Sequence, residues 1–229
     1  AAKQMLREKF AKKPAVAEAN VKGLEAGYDY GHNTHSSIDH TYRIETTAQK
    51  EKGKYMDISG NKATAYGLIA AAEKTGKTLY LGSYPITPAT DILHDLAKHK
   101  SLGVVTVQCE DEIAGCASAV GASFGGALAV TSTSGPGVCL KSEAMNLAVM
   151  TELPLVIINV QRGGPSTGLP TKSEQSDLLQ ALFGRNGESP MPVIAASSPT
   201  DCFYKAYEAA KIALEHATPV ILLTDAFIA

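Results

Sequence analysis

From Asn61 to the end of the 229-residue chain, short runs rich in Val, Ile and Leu alternate with stretches of helical periodicity. That alternation restricts the fold more than any single motif. The pattern predicts helix 61–75, strand 78–82, helix 89–99, strand 104–109, helix 112–124, strand 127–133, helix 138–151 and strand 154–160. After a long loop come helix 174–183, strand 192–197, helix 199–216 and strand 219–224. The strands show no clear apolar/polar alternation, as expected when both faces are covered. Six such strands joined by helical crossovers predict an α/β fold: a doubly wound, mostly parallel six-stranded sheet with helices on both faces.

The first 56 residues differ. Residues 1–27 have the spacing of an amphipathic helix, with Met5, Leu6, Phe10, Val16, Val21 and Leu24 apolar and Gly23 and Gly27 as stops. Residues 28–56 are polar and aperiodic and contain three histidines, the pattern of a linker that wraps onto a neighbour. The expected division is therefore 1–56, an N-terminal helix and linker, and 57–229, the α/β domain. Residues 1–54 hold ten Lys/Arg against seven Asp/Glu, and the rest eleven against sixteen, which marks a boundary.

Several functions are disfavoured. A net charge of −2 offers no field for nucleic acid. No apolar run reaches the length of a membrane span, so a membrane role is not expected. Cys109, Cys116, Cys139 and Cys202 contain no C-x-x-C pair, which argues against an iron–sulfur or zinc site built from this chain and suits buried thiols in a reducing cytoplasm. His32, His35 and His40 with Asp39 lie on a stretch with no rigid frame for a metal. No G-x-S-x-G elbow supports a serine triad.

The informative loops follow strands, at the sheet edge where open α/β folds bind ligands. Three acids, Glu110, Asp111 and Glu112, stand between strand 104–109 and helix 112–124. A carboxylate there can simply cap the helix, or one of the three can do chemistry. Thr87 lies in Tyr84-Pro85-Ile86-Thr87-Pro88, where Pro88 can open a helix and Thr87 cap it. Ser134-Gly135-Pro136-Gly137 allows a ligand close to the backbone or serves as an ordinary strand-to-helix turn. The loop from Gln161 to Lys172 has the glycine spacing of a phosphate loop at Gly163 and Gly168, but Leu169 and Pro170 stand where Lys and Ser/Thr are needed. Gly135 and Gly137 lack the third glycine of a dinucleotide fingerprint. Arg162 can present a planar fork to a carboxylate or form a surface ion pair.

Four motifs in order, Tyr84-Pro85-Ile86-Thr87-Pro88, Glu110-Asp111-Glu112-Ile113-Ala114, Thr133-Ser134-Gly135-Pro136-Gly137 and Arg162-Gly163-Gly164-Pro165-Ser166-Thr167-Gly168, carry a resemblance. Residues 60–229 resemble the thiamine-diphosphate pyrimidine-binding domain of the α subunit of the 2-oxoacid:ferredoxin oxidoreductases. Residues 1–30 resemble the tail of that family's γ subunit, so the polypeptide is expected to be a slice of a fused γ–α chain. The resemblance implies oxidative decarboxylation of a 2-oxoacid to an acyl-coenzyme A, with electrons passing to ferredoxin. The cofactor carries the hard chemistry and the protein positions it.

By the same resemblance, Glu112 matches the glutamate that hydrogen-bonds the pyrimidine ring nitrogen and favours the imino tautomer. Ser134, Gly135, Pro136 and Gly137 would line the pyrimidine pocket. Thr87 and Arg162 match residues that act on the substrate, Arg162 through its carboxylate, and Ser166 and Thr167 would join them in binding it. The long glycine–proline loop resembles the 2-oxoglutarate branch more than the pyruvate branch, and Lys172 is a candidate for a second carboxylate or a solvated loop charge. No Gly-Asp-Gly motif occurs in the chain. Mg²⁺ and the diphosphate are therefore expected on a β subunit, and [4Fe-4S] clusters on partner subunits or domains. A homo-dimer or a dimer of heteromers, with a γ domain in the same or another chain, is the implied assembly. The isolated chain is expected to be inactive. Two alternatives differ in class: a non-redox thiamine-diphosphate decarboxylase or synthase, and an assembly domain without turnover.

Overall fold

In the computed structural model, residues 1–34 and 52–229 are described, and they divide into two units, Ala1–Lys54 and Tyr55–Ala229. The first unit contains helices α1 (Ala2–Lys9) and α2 (Pro14–Asn33). Arg7 Nε pairs with Glu18 at 2.9 Å and Lys3 Nζ with Glu25 at 2.5 Å, so the two helices run antiparallel. The single helix expected over 1–27 is thus broken before Pro14, whose missing N–H and fixed φ suit a first turn. Gly23 and Gly27 do not stop α2. An interior glycine costs only about 1 kcal/mol relative to alanine, and the helix runs on to Asn33. The expected apolar face is largely uncovered within this unit: Val21 is buried, whereas Met5 is 58% exposed. A pair of short helices has too little surface to enclose a core. His35, Asp39 and His40, with most of the predicted linker, lie outside the described residues.

The second unit holds one sheet. Its strands are β1 (Leu79–Ser83), β2 (Val104–Gln108), β3 (Leu128–Thr133), β4 (Leu155–Gln161), β5 (Val193–Ala195) and β6 (Pro219–Asp225). They are all parallel, in the order β2-β1-β3-β4-β6-β5. The helices are α3 (Gly60–Thr75), α4 (Thr90–Leu96), α5 (Glu112–Phe124), α6 (Gly135–Met150), α7 (Leu178–Phe183) and α8 (Pro199–His216). Parallel crossovers are right-handed, so the direction of each step fixes the face its helix covers. The steps β1→β2 and β5→β6 run one way, and α4 and α8 join α3 over Leu79, Leu81, Val156, Ile158 and Leu222. The remaining steps run the other way, and α5, α6 and α7 pack on Ala129, Leu155, Ile157, Ile221 and Leu223. Alternate residues of β4 and β6 therefore face opposite layers, which is why neither strand shows polar alternation.

The doubly wound parallel sheet matches the expected fold class. Burial on both faces holds for β3, β4 and β6 but not at the edges, where Val105 of β2 is 42% exposed. Three helix boundaries differ from expectation. The helix expected over 89–99 gives way to a 3-10 turn, Ala97–Leu102, with non-helical backbone at His99. The segment 174–177 is not helical, because its side chains and amides bond across to β4 and β6: Gln175 Nε2 donates to Asp225 Oδ2 at 2.6 Å, and Asp177 N to Gln161 Oε1 at 3.0 Å. Finally, α6 begins at Gly135 rather than 138, so the Ser-Gly-Pro-Gly motif is itself a helix start, with Pro136 in its first turn.

Candidate functional site

The chain leaves β1 towards one side of the sheet and leaves the adjacent β3 towards the other. Between their carboxyl ends lies the topological switch point, where open α/β sheets form a crevice. The sheet interior turns polar there: Ser83, Ser132, Thr133, Ser134, Asn159, Gln161 and Arg162 are all buried. Most of these groups are satisfied, as burial requires. Ser83 Oγ donates to the Ser132 carbonyl at 2.7 Å, and Asn159 Nδ2 donates to Asp177 Oδ2 at 2.9 Å.

The three acids after β2 have separate fates. Glu110 is exposed. Asp111 is the cap, its Oδ1 accepting from the Ala114 amide at 2.7 Å. Glu112 enters the first turn of α5 and is only 7% exposed. Its side chain lies against Gly137: a Cβ built on that glycine would stand 2.9 Å from Glu112 Cγ and 3.2 Å from Oε1, and would overlap Thr133 Oγ1 outright. Glycine at 137 is therefore what admits Glu112 to this position. Among the described residues no hydrogen bond or ion pair engages the Glu112 carboxylate. The carboxylate oxygens themselves stay open at the surface of the cleft, where a ligand that donates a hydrogen bond can reach them.

Beneath Glu112 sits Lys141 of α6, a residue that the motifs did not single out. It is 0% exposed, and its Nζ donates to the Glu112 backbone carbonyl at 3.1 Å and to Thr131 Oγ1 at 2.9 Å. Burial pushes its ammonium down from the ordinary lysine range, partly offset by the Cys116, Glu112, Cys109 and Asp111 side chains. One sequence signal could have found it: Lys141 lies four residues after Gly137, on the same helical face.

A second cluster joins the loops after β1 and β4. Arg162 is buried, and its guanidinium ties them together, Nη1 donating to the Thr87 carbonyl at 2.7 Å and Nη2 to the Thr167 carbonyl at 2.6 Å. Arg162 is thus not a surface ion pair. Its Nε is buried without a partner among the described residues. Thr87 does not cap α4, which starts at Thr90 after Ala89 with no side-chain cap; Thr87 is exposed, and the Thr87–Pro88 peptide is cis. Pro88 accordingly stands before the helix rather than in its first turn.

Ser166 and Thr167 are exposed on the rim of a cavity of about 480 Å³, also lined by Gly135, Pro136, Arg162 and Asp177. Ser134 Oγ, fully buried at the start of α6, caps nothing and has no partner among the described residues. The candidate residues form two neighbouring groups, Glu112 with Ser134–Gly137 and Thr87 with Arg162, Ser166 and Thr167, and the cavity joins them through Gly135, Pro136 and Arg162. Lys172 lies exposed at the far end of the loop, where its carbonyl accepts from the Gly163 amide at 2.8 Å. Among the described residues, no three His, Cys, Asp or Glu side chains are grouped to hold a metal, and no helix is long and apolar enough to cross a membrane.

Residues 71–229 match the family described as pyruvate flavodoxin/ferredoxin oxidoreductase, thiamine diphosphate-binding. The chain belongs to that family. Along 98% of its length it is 62% identical to the 2-oxoglutarate oxidoreductase subunit KorA of Mycobacterium tuberculosis, covering 34% of that protein. It is 47% identical, over 73% of its length, to a 2-oxoglutarate synthase subunit KorA of Archaeoglobus fulgidus, covering 47% of it. The fold agrees at a TM-score of 0.83 and 37% identity with a 2-oxoglutarate:ferredoxin oxidoreductase of Magnetococcus marinus, solved with 2-oxoglutarate, coenzyme A and succinyl-CoA bound. That match covers 99% of the present chain and 38% of the solved one. The chain thus spans well under half the length of two of these three relatives.

Proposed function

We propose that this chain is the pyrimidine-binding part of the α subunit of a 2-oxoglutarate:ferredoxin oxidoreductase, which oxidatively decarboxylates 2-oxoglutarate to its acyl-coenzyme A and passes electrons to ferredoxin. The observation that carries it is the Glu112 side chain, packed against Gly137 at the β1/β3 switch point, with a carboxylate that has no donor among the described residues and is open to a ligand. A pyrimidine ring nitrogen that carries a proton, or takes one from the acid, would supply the missing hydrogen bond. The unpartnered Ser134 hydroxyl and the neighbouring cavity lined by Gly135 and Pro136 fit a flat heterocycle beside it. When bound, thiamine diphosphate supplies the electron sink for decarboxylation.

The chain's own residues orient and exclude. Glu112 holds the pyrimidine and fixes its protonation. Arg162 keeps the Thr87 and Thr167 loops together and retains donors, Nε among them, for a substrate carboxylate. Thr87, Ser166 and Thr167 stand where they can meet that substrate, and the relatives' names support 2-oxoglutarate over pyruvate. A β subunit would bring the diphosphate and Mg²⁺, and iron–sulfur partners with a γ domain would complete a cytoplasmic complex of two or more such assemblies. On this basis the isolated 229-residue chain has no turnover.

The test is Glu112→Gln and Glu112→Ala in the full-length complex, following viologen or ferredoxin reduction with a panel of 2-oxoacids. The expected outcome is an intact complex that has lost activity by about 10²-fold or more, the scale of a lost acid–base group. Unchanged turnover in both variants removes Glu112 from the mechanism. Equal wild-type rates on pyruvate and 2-oxoglutarate remove the substrate assignment.

A further inference from the structure

We infer that Lys141 is a positioning residue for Glu112, gripping its backbone from inside the fold so that the carboxylate is presented at one fixed place. The inference rests on the assignment of Glu112 to the cofactor. Two residues of α6, one turn apart, hold the same acid: Gly137 bounds its side chain, and Lys141 donates to its carbonyl. The second donation, to Thr131 Oγ1, anchors the ammonium to the middle of β3, a strand buried along its whole length. Glu112 is thereby tied through one side chain to the strand and the helix that flank the Ser-Gly-Pro-Gly motif.

The fold does not need a lysine for packing at this position. Burying an ammonium among Cys116, Thr131 and the α5 backbone is costly, and an apolar side chain of similar length would fill the space without that cost. What an apolar side chain cannot do is hold the Glu112 carbonyl. The first four amides of a helix have no acceptor within it, so the start of α5 depends on groups outside the helix to hold it on the sheet. Asp111 caps one amide of that turn, Ala114, and Lys141 restrains it from beneath through the Glu112 carbonyl. Lys141 bonds the Glu112 carbonyl and Thr131 Oγ1, and the titratable groups whose charges act on it are Cys116, Glu112, Cys109 and Asp111 of the β2–α5 segment.

The experiment compares wild type with Lys141→Met, Glu112→Gln and the double variant in the full-length complex. It reads thiamine-diphosphate affinity and the exchange rate of the cofactor's C2 proton in deuterated solvent. Lys141→Met should bind the cofactor and slow C2 exchange about tenfold or more, the scale of a sub-ångström misplacement. In the Glu112→Gln background the same substitution should change exchange by less than about twofold, because the two act as one unit. In the cofactor-free protein, amide hydrogen exchange should quicken at residues 112–116 and not elsewhere in the sheet.

Unchanged C2 exchange in Lys141→Met, or an equal loss in both backgrounds, overturns the inference. A Glu112→Gln variant with normal C2 exchange instead sinks the Glu112 assignment, and amide exchange at 112–116 then still decides whether Lys141 holds the turn. If Lys141→Met does not fold, Thr131→Val replaces it. That variant keeps the shape of the strand, removes one anchor of the ammonium and should slow C2 exchange about threefold or more, as a lost buried hydrogen bond would. Normal exchange in Thr131→Val is equally fatal.

Discussion

Gly137→Ala places a single methyl group at the point where α6 meets Glu112. The added Cβ overlaps Thr133 Oγ1 and lies 2.9 Å from Glu112 Cγ, whereas carbon atoms pack at about 3.5–4.0 Å. Thr133 is β-branched, fully buried and on a strand paired on both sides, so it has little freedom to swing away. Glu112 must therefore retreat by roughly half an ångström to an ångström, or α6 must lift from the sheet. Overpacking of this kind costs about 1–3 kcal/mol, which for a domain of this size lowers Tm by roughly 2–12 °C. The larger effect is expected on function, since a misplacement near 1 Å costs up to about 10²-fold. Thermal unfolding, thiamine-diphosphate titration and C2 proton exchange on the full-length complex measure the two effects separately. Gly121→Ala is the control, because an added Cβ there meets nothing within 4 Å and lies outside the Ser134–Gly137 motif. A Gly137→Ala protein with wild-type stability and cofactor binding, or one no worse than Gly121→Ala, refutes the idea that glycine at 137 admits Glu112.

Three further outcomes are expected. Gly121 lies inside α5 with nothing within 4 Å of an added Cβ, so Gly121→Ala should stabilise by about 0.5–1 kcal/mol, read as a small rise in Tm. Arg162→Lys keeps the charge but not the planar fork that bonds the Thr87 and Thr167 carbonyls, and should raise KM for the 2-oxoacid more than about tenfold while leaving thiamine-diphosphate affinity near normal. Burial pushes the Cys116 thiol up from 9.0 to about 11, against the opposing pull of Lys141. Between those values the unfolded chain has lost a proton that the folded one keeps, so stability is full below pH 9 and declines as pH rises to about 11. The loss is about 3 kcal/mol from this thiol; the buried Lys141, shifted the opposite way, offsets it in part. Denaturant unfolding across that range should show the decline in wild type and a shallower one in Cys116→Ala.

The strand and helix periods reveal the sheet because hydrophobic burial acts locally along each element. The order of the strands is set by pairing between distant segments, and right-handed crossovers then fix only which face each helix covers. The N-terminal helices were harder to read, because glycine is a weak breaker whose cost neighbouring turns absorb at Gly23 and Gly27. The segment 174–177 has helical spacing but not helical backbone, since Gln175 and Asp177 find partners on β6 and β4 that lie far off in the chain.

Residue types and motif order alone were enough to identify the parallel sheet and to point to the edge that carries the candidate site, with acids, hydroxyls, glycines and an arginine gathered there. Tertiary structure decided what each of them does. Glu110, Asp111 and Glu112 are equivalent as letters, and only the packing of α5 beside α6 leaves one exposed, makes one a cap and buries the third against Gly137. Arg162 could have been a free surface charge, until the folding of two distant loops brought the Thr87 and Thr167 carbonyls onto its guanidinium. Lys141 looks like any helical lysine in the chain. Its burial, and its hold on Glu112 29 residues away, exist only once α6 has been laid across the end of the sheet.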